Sequence, residues 1–396
     1  MTTEQLKTEM LDVVENNILS FWLDHMVDTE HGGFYGQMTG HGELRKQADK
    51  GGILAGRILW SFSAAYRVLG KEEYLAAATR MKDYILAHFY DQEFGGTYWS
   101  LDYLGQPKDT KKQFYALGFM IYGLSEYVRA TGDSEALDYA IRLFHTIEEH
   151  SLDVVYNGYI EATSRDWQPL ADMRLSELDA NYPKSQNTHL HIIEPYANLY
   201  RVWKSPELEK ALRNLIFIFT DKILNPDTHH LDLFFETDWT RGAGWLESYG
   251  HDIECSWLIH EAALVLGDPE VLRAVEPVVK EVAKASEKGL NADGSMTHEA
   301  NLDTGHVDSD RHWWVQAETV VGFLNIWQHF GDADAWDKAI RCWDYIKQNL
   351  IDREHGEWYW SRREDGTLNL DDDHAGFWKC PYHNTRMCLE VLERLK

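Results

Sequence analysis

The sequence predicts an all-α protein built as an (α/α)6 barrel, six helical hairpins closed into a toroid. Three observations carry this reading. A short turn followed by an aromatic or β-branched patch recurs six times, about every 60–70 residues. Between successive markers lie two stretches with apolar residues at i, i+3, i+4 and i+7, the period of an amphipathic helix. A glycine followed by a polar residue separates the two stretches, as a helix end followed by a cap does.

The markers read HGGFYG (His31–Gly36), FGGTYW (Phe94–Trp99), YNGYIEA (Tyr156–Ala162), THHLDLFF (Thr228–Phe235), DGSMTHEA (Asp293–Ala300) and HGEWYWS (His355–Ser361). The separating glycines are Gly70, Gly132, Gly267 and Gly331. The helical period is clear after Gly70, where Tyr74, Leu75, Ala78, Met81, Tyr84 and Ile85 fall on one face. Twelve helices are expected, over about 4–22, 52–69, 72–90, 110–131, 134–150, 186–203, 206–223, 249–266, 269–289, 312–331, 334–350 and 380–395. Each marker joins the two helices of one pair. An open solenoid would end in polar caps, whereas the last pair is rich in aromatic residues and cysteine. Closure into one domain over 1–396 is therefore expected.

Composition narrows the function. The chain has 396 residues with a net charge of −27, which repels phosphate backbones and anionic lipid. Nucleic-acid and membrane-surface partners are not expected, and a small-molecule substrate is. The 16 Trp, 20 Tyr and 15 Phe suit both core packing and stacking on sugar rings. Cys255, Cys342, Cys380 and Cys388 form no CxxC pair. Sparse cysteine and a charged, amphipathic start without signal-peptide character lead to the expectation of a cytoplasmic protein. Monomer and homodimer are equally compatible with an exposed helical ring.

Near the start of the second helix of each pair stand polar or bulky residues. They are Arg57, then Tyr115, then Asn187, His189 and His191. After these come His251, Glu254 and Trp257, then Trp313, Trp314 and Glu318, then Trp378 and His383. In a toroid these ends converge on one mouth, where the helix N-termini also favour a developing oxyanion. His251–Glu254 and Glu254–Trp257 are i, i+3, while Asn187–His191 and Trp314–Glu318 are i, i+4, so each pair is expected side by side. His189 and His191 point about 200° apart on a helix, so His189 is expected to be structural and HLH is not a metal pair. HEAAL and HEANL lack the second histidine of a zinc helix. No catalytic metal and no nucleotide cofactor is expected. Histidines without a metal suit proton transfer near neutral pH, and two on opposite faces of a carbon could remove a proton from one side and return one to the other.

The stretches GGILAGRILW, NTHLHIIEPYANLYR, SYGHDIECSWL, DSDRHWWVQAETVVGF and FWKCPYHNTRMCLE resemble the N-acylglucosamine 2-epimerase superfamily and, within it, the cellobiose 2-epimerase group. The resemblance spans the chain. It implies an (α/α)6 barrel and a metal-free, cofactor-free 2-epimerisation of a reducing-end sugar. The ring opens, a histidine removes the C2 proton to give a cis-enediolate, and a second delivers a proton to the other face. Carried onto this chain, it implies His251 and His383 as the acid/base pair and His191 as the histidine assisting ring opening. It implies Arg57 and Asn187 at the reacting oxygens and Glu254 as partner of an acid/base histidine. Tyr115, Trp257, Trp314, Glu318 and Trp378 match or adjoin sugar-binding positions, with the two tryptophans Trp314 and Trp378 as stacking surfaces. Thr385, Cys255 and Pro195 depart from the family pattern, which commonly has Gly, Ala and Ala there. Mannose epimerisation and mannose–fructose isomerisation remain open within the superfamily. Outside it, a glycoside hydrolase would need two facing carboxylates, for which Glu254 and Glu318 are the inward candidates, and a non-catalytic sugar-binding protein is the third reading.

Overall fold

The computed structural model describes residues 1–396. Its helices are α1 (Thr3–Val13), α2 (Ser20–His25), α3 (Gly52–Leu69), α4 (Glu72–Tyr84), α5 (Phe114–Thr131), α6 (Ser134–His150), α7 (Gln186–Val202), α8 (Pro206–Ile218), α9 (Tyr249–Leu266), α10 (Pro269–Ser286), α11 (Trp313–Phe330), α12 (Ala333–Asn349) and α13 (Tyr382–Arg394). A π-helical stretch, Val14–Leu19, joins α1 to α2, so the rods number twelve. The inner rods pack in sequence, α3 on α5, α5 on α7, α7 on α9, α9 on α11 and α11 on α13, and α13 returns to α3. That last contact closes the (α/α)6 barrel. Inner helices such as α5 and α9 are buried on nearly every face because they lie between two neighbours and the outer ring. One continuous hydrophobic core runs through the molecule. No helix is long and apolar enough to cross a membrane.

The punctuation read from the sequence has a local cause. Gly70, Gly132, Gly267 and Gly331 end α3, α5, α9 and α11 in the left-handed conformation, with φ between 72° and 76°. The side chains of Asp133, Asp268 and Asp332 then cap α6, α10 and α12. Each marker is a tight turn closed by one antiparallel bridge, Val27 to Phe34, Tyr90 to Thr97, Leu152 to Tyr159, Leu224 to Leu231, Leu290 to Met296 and Ile351 to Trp358.

Several boundaries differ from expectation. The regions expected to begin helices at 110 and 380 do so at Phe114 and Tyr382. In both places a buried lysine precedes the helix and is tied to a marker carboxylate, Lys112 to Asp91 at 2.9 Å and Lys379 to Glu357 at 2.9 Å. A helix through those lysines would pull them off their partners. The stretches 72–90 and 206–223 end in π turns rather than α turns. Tyr90 N–H donates to the Ile85 carbonyl at 3.0 Å, and the widened turn keeps Ile85 and Phe89 on the buried side.

Candidate active site

Every inner helix delivers at least one candidate side chain near its N-terminal end, or just before it. Arg57 comes from α3, Tyr115 from α5, Asn187 and His191 from α7, His251 from α9, Trp314 and Glu318 from α11 and His383 from α13, with Trp378 just ahead of α13. Asn187, His251, Trp314 and Trp378 are half-buried, and the others are buried. The Trp314 indole lies between two imidazoles, its centroid 4.9 Å from His251 and 5.7 Å from His383. On the other side Arg57 Nη2 donates to the Tyr115 hydroxyl at 2.9 Å, and the Tyr115 ring stands 4.8 Å from His191 and 6.2 Å from Trp378.

The three histidines share a feature invisible in the sequence. In each, Nδ1 is engaged by a different anchor. His383 Nδ1 lies 2.7 Å from Glu318 Oε1, His191 Nδ1 3.0 Å from Glu194 Oε2, and His251 Nδ1 2.8 Å from the Ser248 hydroxyl. Nε2 of each ring is thereby left for another partner, the arrangement by which an outer hydrogen bond sets a histidine's orientation and tautomer. Burial lowers the pKa of all three. His251 falls to about 3, with His298 and His191 adding to the effect, and His383 falls well below the usual value, with Arg57 and Arg386 adding. His191 is lowered by burial despite the bond to Glu194.

Beneath the rings lies a buried ionic cluster that the sequence reading missed. Arg386 Nη2 donates to Glu254 Oε1 and to Glu318 Oε1, both at 2.7 Å, and Nη1 donates to Glu194 and bonds the Tyr382 hydroxyl. Tyr382 in turn donates to Glu194. Three carboxylates around one guanidinium exceed its charge. Burial, joined by the charge of Glu318, raises the Glu254 pKa well above the ordinary carboxylate value, favouring its protonated form. For Glu194, burial is outweighed by Arg386 and His191, which hold it below the usual value. The signal for Arg386 was available: it stands three residues after His383, the spacing already used for His251 and Glu254.

Glu254 stands beside an acid/base histidine, as the resemblance implied: its oxygen lies 3.9 Å from His383 Nδ1, while His251 bonds Ser248. Glu318, expected among the sugar-binding residues, is fully buried and is the closer partner of His383. Its second oxygen accepts the Trp257 indole N–H at 2.9 Å, so Trp257 lies behind the site rather than on its surface. The reason is geometric: i, i+3 residues share a face, but spacing does not say which neighbouring helix that face meets, and here Glu254 meets Arg386 and His383 of α13. His189 behaves as expected, buried between the Ser185 carbonyl and the Tyr159 N–H.

Helix α7 is kinked at His191, where φ is −92° and ψ 17°. Pro195 stands four residues later. It has no N–H for the His191 carbonyl, and its ring crowds that carbonyl. The displaced carbonyl turns toward α5, where only Gly118 leaves room: a Cβ there would sit 2.1 Å from the His191 oxygen.

A cavity of about 370 Å³ opens over Asn187 and His251, within the range of small-molecule sites. Its walls come from residues 173–182, from Glu161, and from His298, Glu299, Asp308 and His312. Gln113 Nε2 tethers the first wall through the Met173 and Arg174 carbonyls at 3.1 and 2.8 Å.

The site can be set beside known proteins. The chain is 61% identical over 389 residues to a cellobiose 2-epimerase of Bacteroides fragilis, covering 98% of this chain and 99% of that one. It is 40% identical over 395 residues to a cellobiose 2-epimerase of Ruminococcus albus, covering 100% and 99%. The solved structure of cellobiose 2-epimerase from Bacillus thermoamylovorans superimposes with a TM-score of 0.93 at 41% identity, covering 99% of this chain and all of that one. The family model for N-acylglucosamine 2-epimerase matches residues 33–386, a span running from the first marker to the ionic cluster. Closed barrel, relatives and family model agree, and the chain is an isomerase that belongs to the N-acylglucosamine 2-epimerase family.

Proposed function

We propose that this protein epimerises C2 at the reducing end of β-1,4-linked disaccharides such as cellobiose, exchanging gluco and manno configurations. The observation that supports it most is the set of three imidazoles, carried by α7, α9 and α13 and each anchored through Nδ1. Full-length identity to cellobiose 2-epimerases supports the substrate class.

In this reading the reducing-end ring opens first, with His191 exchanging protons at O1 or O5. His251 and His383 then work on C2. One takes the C2 proton, and the C–H electrons move into a C1=C2 bond while the carbonyl electrons move onto O1. The resulting enediolate is planar at C2. The other ring must carry a proton at this point, against the lowering that burial imposes, and the enediolate charge beside it favours that form; it delivers its proton to the opposite face, and the carbonyl re-forms. Turnover runs both ways, so each ring is the base in one direction and the acid in the other. Arg57, whose Nε has no partner within the protein, and Asn187, whose Oδ1 has none, serve the reacting oxygens. The Arg57 guanidinium offsets the enediolate charge in a site shielded from water. Glu318 and Arg386 hold His383 at its angle, and Trp314 and Trp378 offer flat faces to sugar rings.

Proton NMR in D2O tests this directly. With cellobiose, lactose, mannose and glucose in separate tubes, deuterium should enter C2 and a gluco/manno pair should form fastest with a disaccharide. A ketose product would reassign the activity to isomerisation between aldose and ketose. Absence of exchange in every tube would overturn the reading. His251→Ala and His383→Ala should each abolish C2 exchange.

A further inference from the structure

Two groups of side chains bring three or more metal-ligating atoms together. The first, Glu254, Glu318 and His383, is already filled: the Arg386 guanidinium lies 2.7 Å from both carboxylates, and a cation there would face that charge. The second is different. His298, Asp308 and His312 offer one ligand atom each, all within 4.8 Å of one another, and no arginine or lysine bonds the Asp308 carboxylate. All three line the same cavity as His251 and Asn187.

Their backbone is held before any ligand arrives. His298 N–H donates to the Asp308 carbonyl at 3.2 Å, across the hairpin that pairs Glu299–Asn301 with His306–Asp308. His312 pairs with Ser361 and is the residue just before α11, and its carbonyl accepts from Gln316 Nε2 at 3.3 Å. Asp308 spends Oδ1 on the Asp310 N–H at 3.1 Å, which leaves Oδ2 facing both imidazoles. That oxygen is 2.8 Å from His298 Nδ1 and 3.7 Å from His312 Nε2. Metal bonds of about 2.0–2.1 Å at tetrahedral or octahedral angles need ligand atoms about 3–3.5 Å apart, so around an ion the 2.8 Å His298–Asp308 hydrogen bond would open and the 3.7 Å pair close by a few tenths of an ångström, with all three atoms already within 4.8 Å of one another. The side chains keep 19%, 33% and 16% of their surface, and open positions on an ion would face the cavity. The Asp179 side chain lines the same cavity, and the chain carries −27 overall. Both favour a divalent cation.

We propose that His298, Asp308 and His312 form a site for one borderline transition-metal cation of the zinc type, on the wall of the substrate cavity, where its occupancy competes with sugar. Two imidazoles and one carboxylate select zinc, nickel or copper over magnesium and calcium. The ion has no part in the proton transfers above. It acts by filling space beside His251.

The test uses the full chain. Zinc chloride titrated into the protein at neutral pH in a calorimeter should show one saturable equivalent, and magnesium chloride should show none. Asp308→Asn and His312→Gln should each weaken zinc binding by more than the 10- to 100-fold typical of losing an outer-sphere partner. Thermal melts confirm that both variants fold, and His298→Gln serves if either does not. No saturable equivalent in the wild type, or wild-type affinity in every folded variant, overturns the site. The competition rests on the reaction proposed above. Zinc should raise KM and leave kcat unchanged, and turnover untouched by saturating zinc overturns it. Exchange in D2O without zinc tests the reaction itself, so failure of one is distinguishable from failure of the other.

Discussion

The carbonyl of His191 approaches α5 so closely at Gly118 that a Cβ on that glycine would lie 2.1 Å away. Pro195 leaves the carbonyl without a helical donor, but the room at Gly118 fixes where the carbonyl goes and, with it, the backbone from which His191 enters the site.

Their substitutions should separate cleanly. Gly118→Ala forces the two helices apart, at a cost of about 1–3 kcal/mol, and moves His191. A fall in kcat/KM of at least tenfold is expected, since displacements near 1 Å can cost 10²-fold. Pro195→Ala leaves the space at Gly118 intact. It should cost about 0.4–1 kcal/mol through the unfolded state and change kcat less than twofold. Urea melts and steady-state kinetics on both variants check this, and equal activity loss in the two would refute the division of labour.

Glu318→Gln keeps the shape of the side chain but replaces one acceptor by a donor. The carboxylate accepts from Arg386 and Trp257 and anchors His383 Nδ1, so whichever way the amide turns it meets a donor. We expect kcat to fall by roughly 10- to 100-fold, as for other partners that orient a reacting group, with KM little changed. A KM effect alone would instead place Glu318 on the sugar. Release of free monosaccharide by the wild-type enzyme would revive the hydrolase reading.

Acid should destabilise the protein through its buried neutral histidines. Burial lowers His189 to about 4 from the ordinary 6.5. Below pH 6.5 the unfolded chain therefore binds a proton that the folded chain refuses. Stability from this group is complete above about pH 6.5 and is lost as pH falls toward 4. At pH 5 the loss is about 2 kcal/mol for His189 alone. Urea midpoints at pH 8 and pH 5 should show it, and His189→Gln, though less stable at pH 8, should lose less between the two. An equal loss in wild type and variant would remove His189 from the account.

The repeats determined the architecture, because the six marker turns, the four glycine caps, the aspartate caps and a 3.6-residue period are local properties written again and again along the chain. They also named the ends of the inner helices, and closure alone makes those ends converge. Tertiary structure decided the pairings. Which carboxylate meets His383 depends on how α9 and α11 pack around α13, so Glu318 and Arg386 could not be ranked over Glu254 from spacing. The late helix starts at Phe114 and Tyr382 depend on Lys112 and Lys379 reaching carboxylates about 20 residues away. The bend at His191 was half legible: Pro195 announced a break four residues back, but only α5 packed against it shows where the carbonyl goes. Local chemistry is written along the chain, whereas partners distant in sequence are chosen by how helices tilt and pack.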